Sequence, residues 1–207
     1  MGLGKMKEAN MMSPNKIKQE EKEVLELKEE KTITLPNQEN YFIATQDGTY
    51  HFTIKEKQTI YLWSDNYSLD LTFQIKEKGD LTLYFSCLSC GNKEEKIQIF
   101  HETSKTTSNI FCHGLSLEQK LTFTLHGTVP KNKKGCLCNQ NSIIHHVKQG
   151  TGEIKPNLYI DEYDVIANHS AFVGPLKKED IFYLNTKGIS TELVTHLLLK
   201  SFLIGNS

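Results

Sequence analysis

The chain has 207 residues, 24 basic and 25 acidic, with a net charge of −1 and 38% hydrophobic residues. Its mean hydropathy is −0.44. That is enough apolar material for the core of one domain. The balanced charge excludes an electrostatic case for nucleic acid. The lack of any apolar run near 18 residues excludes a membrane-spanning helix.

Every basic residue is lysine, which removes the guanidinium fork that grips phosphate and carboxylate in two places. The first residues hold no apolar signal-peptide core. The cysteine count is five, an odd number. A cytoplasmic chain with reduced thiols is therefore expected.

Residues 1–31 read as a charged, flexible arm. Its run QEEKEVLELKEEK (19–31) fits either a solvated helix or a frayed lead-in to a strand. From Thr32 to about Val129 the pattern becomes period two. Examples are Leu69-Leu71-Phe73-Ile75, Leu81-Leu83-Phe85, Ile97-Ile99 and Leu121-Phe123-Leu125. Such alternation marks half-buried strands. Turn clusters separate the strands, as at Gln46-Asp47-Gly48 and Lys78-Gly79-Asp80. Strands at intervals of about 9–14 residues, with no helical period between them, leave a sandwich, a barrel or a β-solenoid.

The stretch from Lys155 to Gly174 carries the densest signal. Pro156 opens a short strand with Leu158 and Ile160 on one face. Glu153 precedes it, Asp161, Glu162 and Asp164 follow, and His169 lies between Asn168 and Ser170. Two helical segments end the chain. The first is expected from about Leu176 to Thr186, with Glu179 and Asp180 in its first turn and Gly188 just past its end. The second starts after Ser190, a good N-cap, and runs to about Leu203. Leu193, Val194, Leu197, Leu198 and Phe202 make one apolar stripe along it.

Several groups could carry chemistry. Cys87 and Cys90 form a CxxC, and Cys136 and Cys138 a CxC. Four sulfurs would suit zinc or a cluster if they met in space. The competing reading is that these small apolar residues fill a core. His145 and His146 are adjacent in a strand-like run, so their rings point to opposite faces and cannot share one metal from that geometry. There is no GxSxG elbow and no phosphate loop, since Gly2 to Lys5 has the wrong spacing. No enzyme activity is expected.

Lys155-Pro156-Asn157-Leu158, Asp164-Val165, His169, Val173-Gly174, Ile181-Phe182-Tyr183-Leu184 and Lys187-Gly188-Ile189 follow one another in fixed order. In that order they resemble the late segment of the SufB/SufD family, scaffold proteins of the SUF iron–sulfur cluster assembly system, and the SufD branch above all. FHETSKTTSNIFCHG (100–114) and HGTVPKNKKGCLCNQNSII (126–144) are similar to two upstream stretches of the family.

The resemblance implies a mainly β fold: a right-handed parallel β-helix over 32–174, of roughly six or seven coils at 20–25 residues each. It implies a short two-helix region over 175–207. It also implies a non-catalytic scaffold that pairs with a SufB-like protein and docks a SufC-like ABC ATPase through Phe182, Tyr183, Leu193 and Leu197. His169 matches the histidine implicated in cluster assembly at the subunit interface, and Cys112 lies in a family-like turn. The cluster would be transient, with nothing tightly bound to the isolated chain.

There are departures from the pattern. Ala167 stands where many SufD sequences have cysteine, Ser170 replaces a glycine, and no Glu follows His169. The chain is also shorter than typical members. Two other readings stay open: a stand-alone zinc-binding or structural solenoid using Cys87, Cys90, Cys136 and Cys138, and a homodimeric scaffold.

Overall fold

The structure, a computed structural model, describes residues 23–27, 31–33, 35–147, 149–175 and 178–204. Thirteen strands come first: β1 (Val24–Leu27), β2 (Lys31–Ile33), β3 (Glu39–Ala44), β4 (Gly48–Ile54), β5 (Lys57–Asp65), β6 (Leu69–Ile75) and β7 (Asp80–Ser89). They continue as β8 (Lys93–His101), β9 (Thr107–Ser116), β10 (Lys120–Val129), β11 (Cys136–His146), β12 (Thr151–Ile160) and β13 (Val165–Pro175). Helices α1 (Lys178–Thr186) and α2 (Thr191–Ile204) follow.

Odd-numbered strands build one seven-stranded sheet and even-numbered strands a six-stranded sheet, each in sequential order. Every pairing is parallel, as in β5 with β7 and β10 with β12. Consecutive strands thus alternate between two facing sheets, which makes the chain a parallel β-solenoid. Of the three architectures that strand spacing allows, only this one needs no hairpins.

The period-two pattern sets the interior. In β5 and β6, residues alternate between buried and half-exposed along the whole strand. In-register stacking then turns each inward position into a column. One column runs Asn40, Ile60, Leu83, Ile110, Gln140 and His169 through the odd sheet. Another runs Phe52, Phe73, Ile99, Gly127 and Leu158 through the even sheet. Phe52 and Phe73 stack with ring centroids 4.8 Å apart. Burying a side chain of this size contributes about 1.5–3 kcal/mol. Outward columns form ladders too: Tyr41, Tyr61, Tyr84 and Phe111 stack ring on ring.

The corners also repeat. Glu77, Lys105 and Asn132 take φ values of 56°, 59° and 65°, a left-handed conformation that costs a non-glycine residue about 1–2 kcal/mol. Bonds between rungs offset that cost. Thr103 Oγ1 donates to the Glu77 carbonyl at 3.0 Å, and the Lys105 N–H donates to the Lys134 carbonyl at 2.9 Å.

Part of the run 19–31 is strand: β1 pairs with β3 from Val24 onward. Residues 1–22 and 28–30 of the arm expected over 1–31 lie outside the described residues. So do residues 176–177, where the first helix was expected to begin. Gly188, at φ 81°, ends α1, with its N–H on the Asn185 carbonyl at 3.0 Å. Ser190 Oγ accepts the Leu193 N–H at 3.4 Å, as an N-cap does.

The last turn of α2 lies against the side of the odd sheet. Phe202 stacks on His113 at 4.5 Å and meets His145 edge-on at 4.5 Å. His113 Nδ1 donates to the Phe202 carbonyl at 3.0 Å. Trp63, Leu88, Leu115, Leu117 and Val147 complete the seat. Among the described residues, no helix is long and apolar enough to cross a membrane.

Candidate functional site

α2 leans on the side of the solenoid, against β7 and β9, and not across its late end. β13 pairs with β11 along eleven residues, and β12 with β10 along ten. Among the described residues, no strand pairs with their other edges. Two long rows of backbone N–H and C=O groups end the stack, a template for a further strand.

His169 sits in the middle of β13. Its direct neighbour in register is Gln140, and both belong to an inward column. Ile60, Leu83, Ile110 and Gln140 are each no more than 2% exposed, yet His169 is exposed. The difference has a simple cause: among the described residues no coil lies beyond it. A cleft of about 230 Å³ is lined by three residues each from β9, β11 and β13, with Ile110, Gln140 and His169 among them.

Large apolar residues crowd the same end. Tyr159, Tyr163, Ile166, Phe172 and Val173 are all substantially exposed. Asn168 Nδ2 donates to Asn139 Oδ1, and Asn139 Nδ2 to Asn109 Oδ1, both at 3.0 Å, which ties β13 to the rungs below.

Two of the four carboxylates noted near this segment, Glu153 and Glu162, do other work. Glu153 lies 2.6 Å from Lys120 and 3.3 Å from Lys155, whose hydrogen bonds hold its carboxyl below the usual range. Glu162 clips the turn before β13. Its oxygens accept the N–H groups of Asn132 and Tyr163, both at 2.9 Å. Asp164 precedes β13; five extended residues, about 16 Å, separate it from His169, too far to orient the imidazole. Its carbonyl instead accepts the Gly135 N–H at 2.6 Å.

The cysteines are not gathered. Cys87 faces the interior of β7, and Cys90 is half-buried in the bend beyond that strand. Cys136 and Cys138 face inward on β11. Cys87 stacks over Gly114 and then Ile144, six residues along the strand from Cys138, or about 20 Å. Among the described residues, no group of three or more His, Cys, Asp or Glu could hold a metal. The four-sulfur zinc arrangement has no geometric basis here, because a strand spreads its residues along a line.

Cys112 is fully buried between Phe85 and Ser142, and burial pushes its thiol far up. Cys136 and Cys138 flank a buried polar chain. His101 Nδ1 lies 2.8 Å from the Thr106 hydroxyl, and Nε2 lies 3.0 Å from that of Ser108. Thr106 donates to the Thr103 carbonyl at 3.0 Å, so it accepts from Nδ1–H while Nε2 accepts from Ser108. Burial lowers the His101 pKa to about 4, which keeps the ring neutral.

Phe182, Tyr183, Leu193 and Leu197 lie well exposed on the two helices. His145 Nδ1 donates to the Gly174 carbonyl at 3.1 Å, a clasp between β11 and β13. Sequence reasoning overlooked Gln140, a buried polar residue that follows the apolar run Ile60, Leu83 and Ile110 in the inward column. Its place in CLCNQNSII, on the same face as Cys136, Cys138 and Ile144, was the available signal.

The late end of this parallel solenoid thus carries a histidine in the last described rung of its inner face. The model for the SUF system FeS cluster assembly SufBD core domain matches residues 76–202, more than half of the chain. The chain belongs to that SufBD core domain family. It is also similar to the iron–sulfur cluster assembly protein SufD of Bacillus subtilis (strain 168), with 26% identity over 153 residues. That alignment covers 73% of this chain and 32% of the relative, so the chain spans about a third of the relative's length.

Proposed function

We propose that the chain is a SufD-like scaffold subunit of an iron–sulfur cluster assembly complex. It carries out no catalysis of its own. It pairs with a SufB-like protein along the outer edges of β12 and β13 and docks a SufC-like ABC ATPase through α1 and α2. The nascent cluster is its cargo, held transiently at the subunit interface with His169 as one ligand, and the cytoplasm is its setting. The solenoid winds right-handed, the hand that parallel crossovers overwhelmingly take.

One observation carries the reading. The end left without a next coil is also where the family-matched segment exposes an inward-column histidine. A neutral imidazole is a competent ligand for iron, and an edge of eleven backbone positions can be covered by a partner's strand. Exposed Phe182, Tyr183, Leu193 and Leu197 supply apolar surface for a second partner.

The test is co-purification with SufB-like and SufC-like partners, wild type beside His169→Ala, with anaerobic iron and sulfide analysis. The reading expects a stable complex whose cluster content falls in His169→Ala while assembly survives. Unchanged content would remove His169 as a ligand. Failure of any complex to form would overturn the heteromeric scaffold and favour two copies of this chain meeting at the same edge.

A further inference from the structure

We infer that Gln140 is the positioning residue for His169: its side-chain oxygen accepts one imidazole N–H, which leaves the other ring nitrogen's lone pair turned to the open end. This rests on the reading of His169 given above and adds the group that sets its tautomer.

Gln140 is 2% exposed and directly opposite His169 in the β11–β13 register. Its Nε2 donates to the Asn157 carbonyl of β12 at 3.4 Å, which fixes the end of the amide that is oxygen. That oxygen, Oε1, is buried and has no hydrogen-bond partner among the described residues. A buried acceptor left unmade costs about 1–3 kcal/mol, and native interiors rarely keep one without a use. The imidazole of His169, for its part, has no hydrogen bond among the described residues. An acceptor without a donor and a donor without an acceptor thus line one cleft, in one column, on adjacent strands.

Gly127 makes the arrangement possible. A Cβ built there would stand 2.9 Å from Gln140 Nε2 and 2.7 Å from Cys138 Sγ. The missing side chain on the even sheet is the space into which the amide folds. Elsewhere the column position of Gly127 is filled by Phe52, Phe73, Ile99 and Leu158. An imidazole that ligates through one nitrogen commonly donates the other N–H to a fixed acceptor, which sets tautomer and ring orientation. Asp164 is out of reach for that task, and Gln140 is in place for it.

The experiment follows the His169 ring nitrogens in the full-length, ¹⁵N-labelled chain by long-range proton–nitrogen spectra at a pH where the ring is neutral. Wild type is compared with Gln140→Met, which keeps length but loses the acceptor, and Gln140→Glu, which keeps an acceptor oxygen. Loss of one neutral hydrogen bond predicts an about five-fold change in the ratio of the two tautomers in Gln140→Met, with the wild-type ratio recovered in Gln140→Glu. A packing role alone would not be rescued in that way. Gly127→Ala, which drives the amide out of its seat, should move the ratio in the same direction as Gln140→Met. It supplies the comparison if Gln140→Met fails to fold.

Unchanged His169 nitrogen shifts in a folded Gln140→Met chain would overturn the proposal, whatever the cluster analysis shows. A shifted ratio beside a cluster content indifferent to His169→Ala would uphold the positioning pair and overturn only the ligand reading. The two failures are therefore separable.

Discussion

The middle of the solenoid and its late end use the same inward column for opposite purposes. At Leu83 and Ile110 the column is closed by coils on both sides and holds hydrocarbon. Two rungs on from Ile110, the same position is His169, exposed, with buried Gln140 between them. Nothing in backbone geometry distinguishes these positions, since all lie in paired parallel strands. What differs is whether another coil follows. Each coil of a solenoid stabilises its neighbours, so the last one is where a polar, reactive side chain costs least and meets a partner most easily.

The sharpest way to break this contrast is to damage the closed middle. Phe73 is fully buried and stacked on Phe52. Phe73→Ala should cost about 3–5 kcal/mol, read as a lower denaturant midpoint with the fold's circular dichroism otherwise retained. A loss below 1 kcal/mol would mean that the middle collapses easily around a void and gains little from being closed on both sides.

A second test uses Glu95, a carboxyl fixed inside the wall of the even sheet. It is 2% exposed and accepts the Leu69 N–H at 2.9 Å. Burial is the main cause that raises its pKa from an ordinary 4.5 to about 8. Between those values the folded chain keeps a proton that the unfolded chain has lost. Stability is then full below about pH 4.5 and falls as pH rises toward 8. From pH 5 to pH 7 this group should remove about 2–3 kcal/mol. Glu95→Gln should flatten that slope in denaturation curves taken across the range, and an unchanged slope would assign the pH dependence to other groups.

The smallest expected effect falls at the open end. His169→Ala should cost about 0.5–1.5 kcal/mol, the net worth of its one hydrogen bond to Gln140, measured in the same denaturation assay. A larger loss would make His169 a structural residue and erase the contrast with Ile110.

Much of the fold was legible in the sequence. The alternation of Leu69, Leu71, Phe73 and Ile75 is a local signal, and each of these residues faces the core. Ser190 and Gly188 mark a helix start and a helix end because capping is also local. The choice of a solenoid over a sandwich came from the late segment's resemblance, since strand spacing is blind to which strands pair.

The site was legible only in part. His169 stood out within its own segment. Gln140 did not, because its relation to His169 spans a whole coil and exists only once the register is set. Glu95 read as one more charge in the run Lys93-Glu94-Glu95-Lys96, where charge density masks the inward phase of the strand. The cysteine pairs misled for a related reason: nearness in sequence places residues in line along an extended strand, while ligation needs them to converge.

The strands also lengthen along the stack. β1 and β2 span four and three residues, whereas β13 and β12 span eleven and ten. Late end against late end matches long edge with long edge and consumes both at once. The length of that late edge is itself selective: only a strand of about ten or more residues satisfies its backbone groups along the whole run.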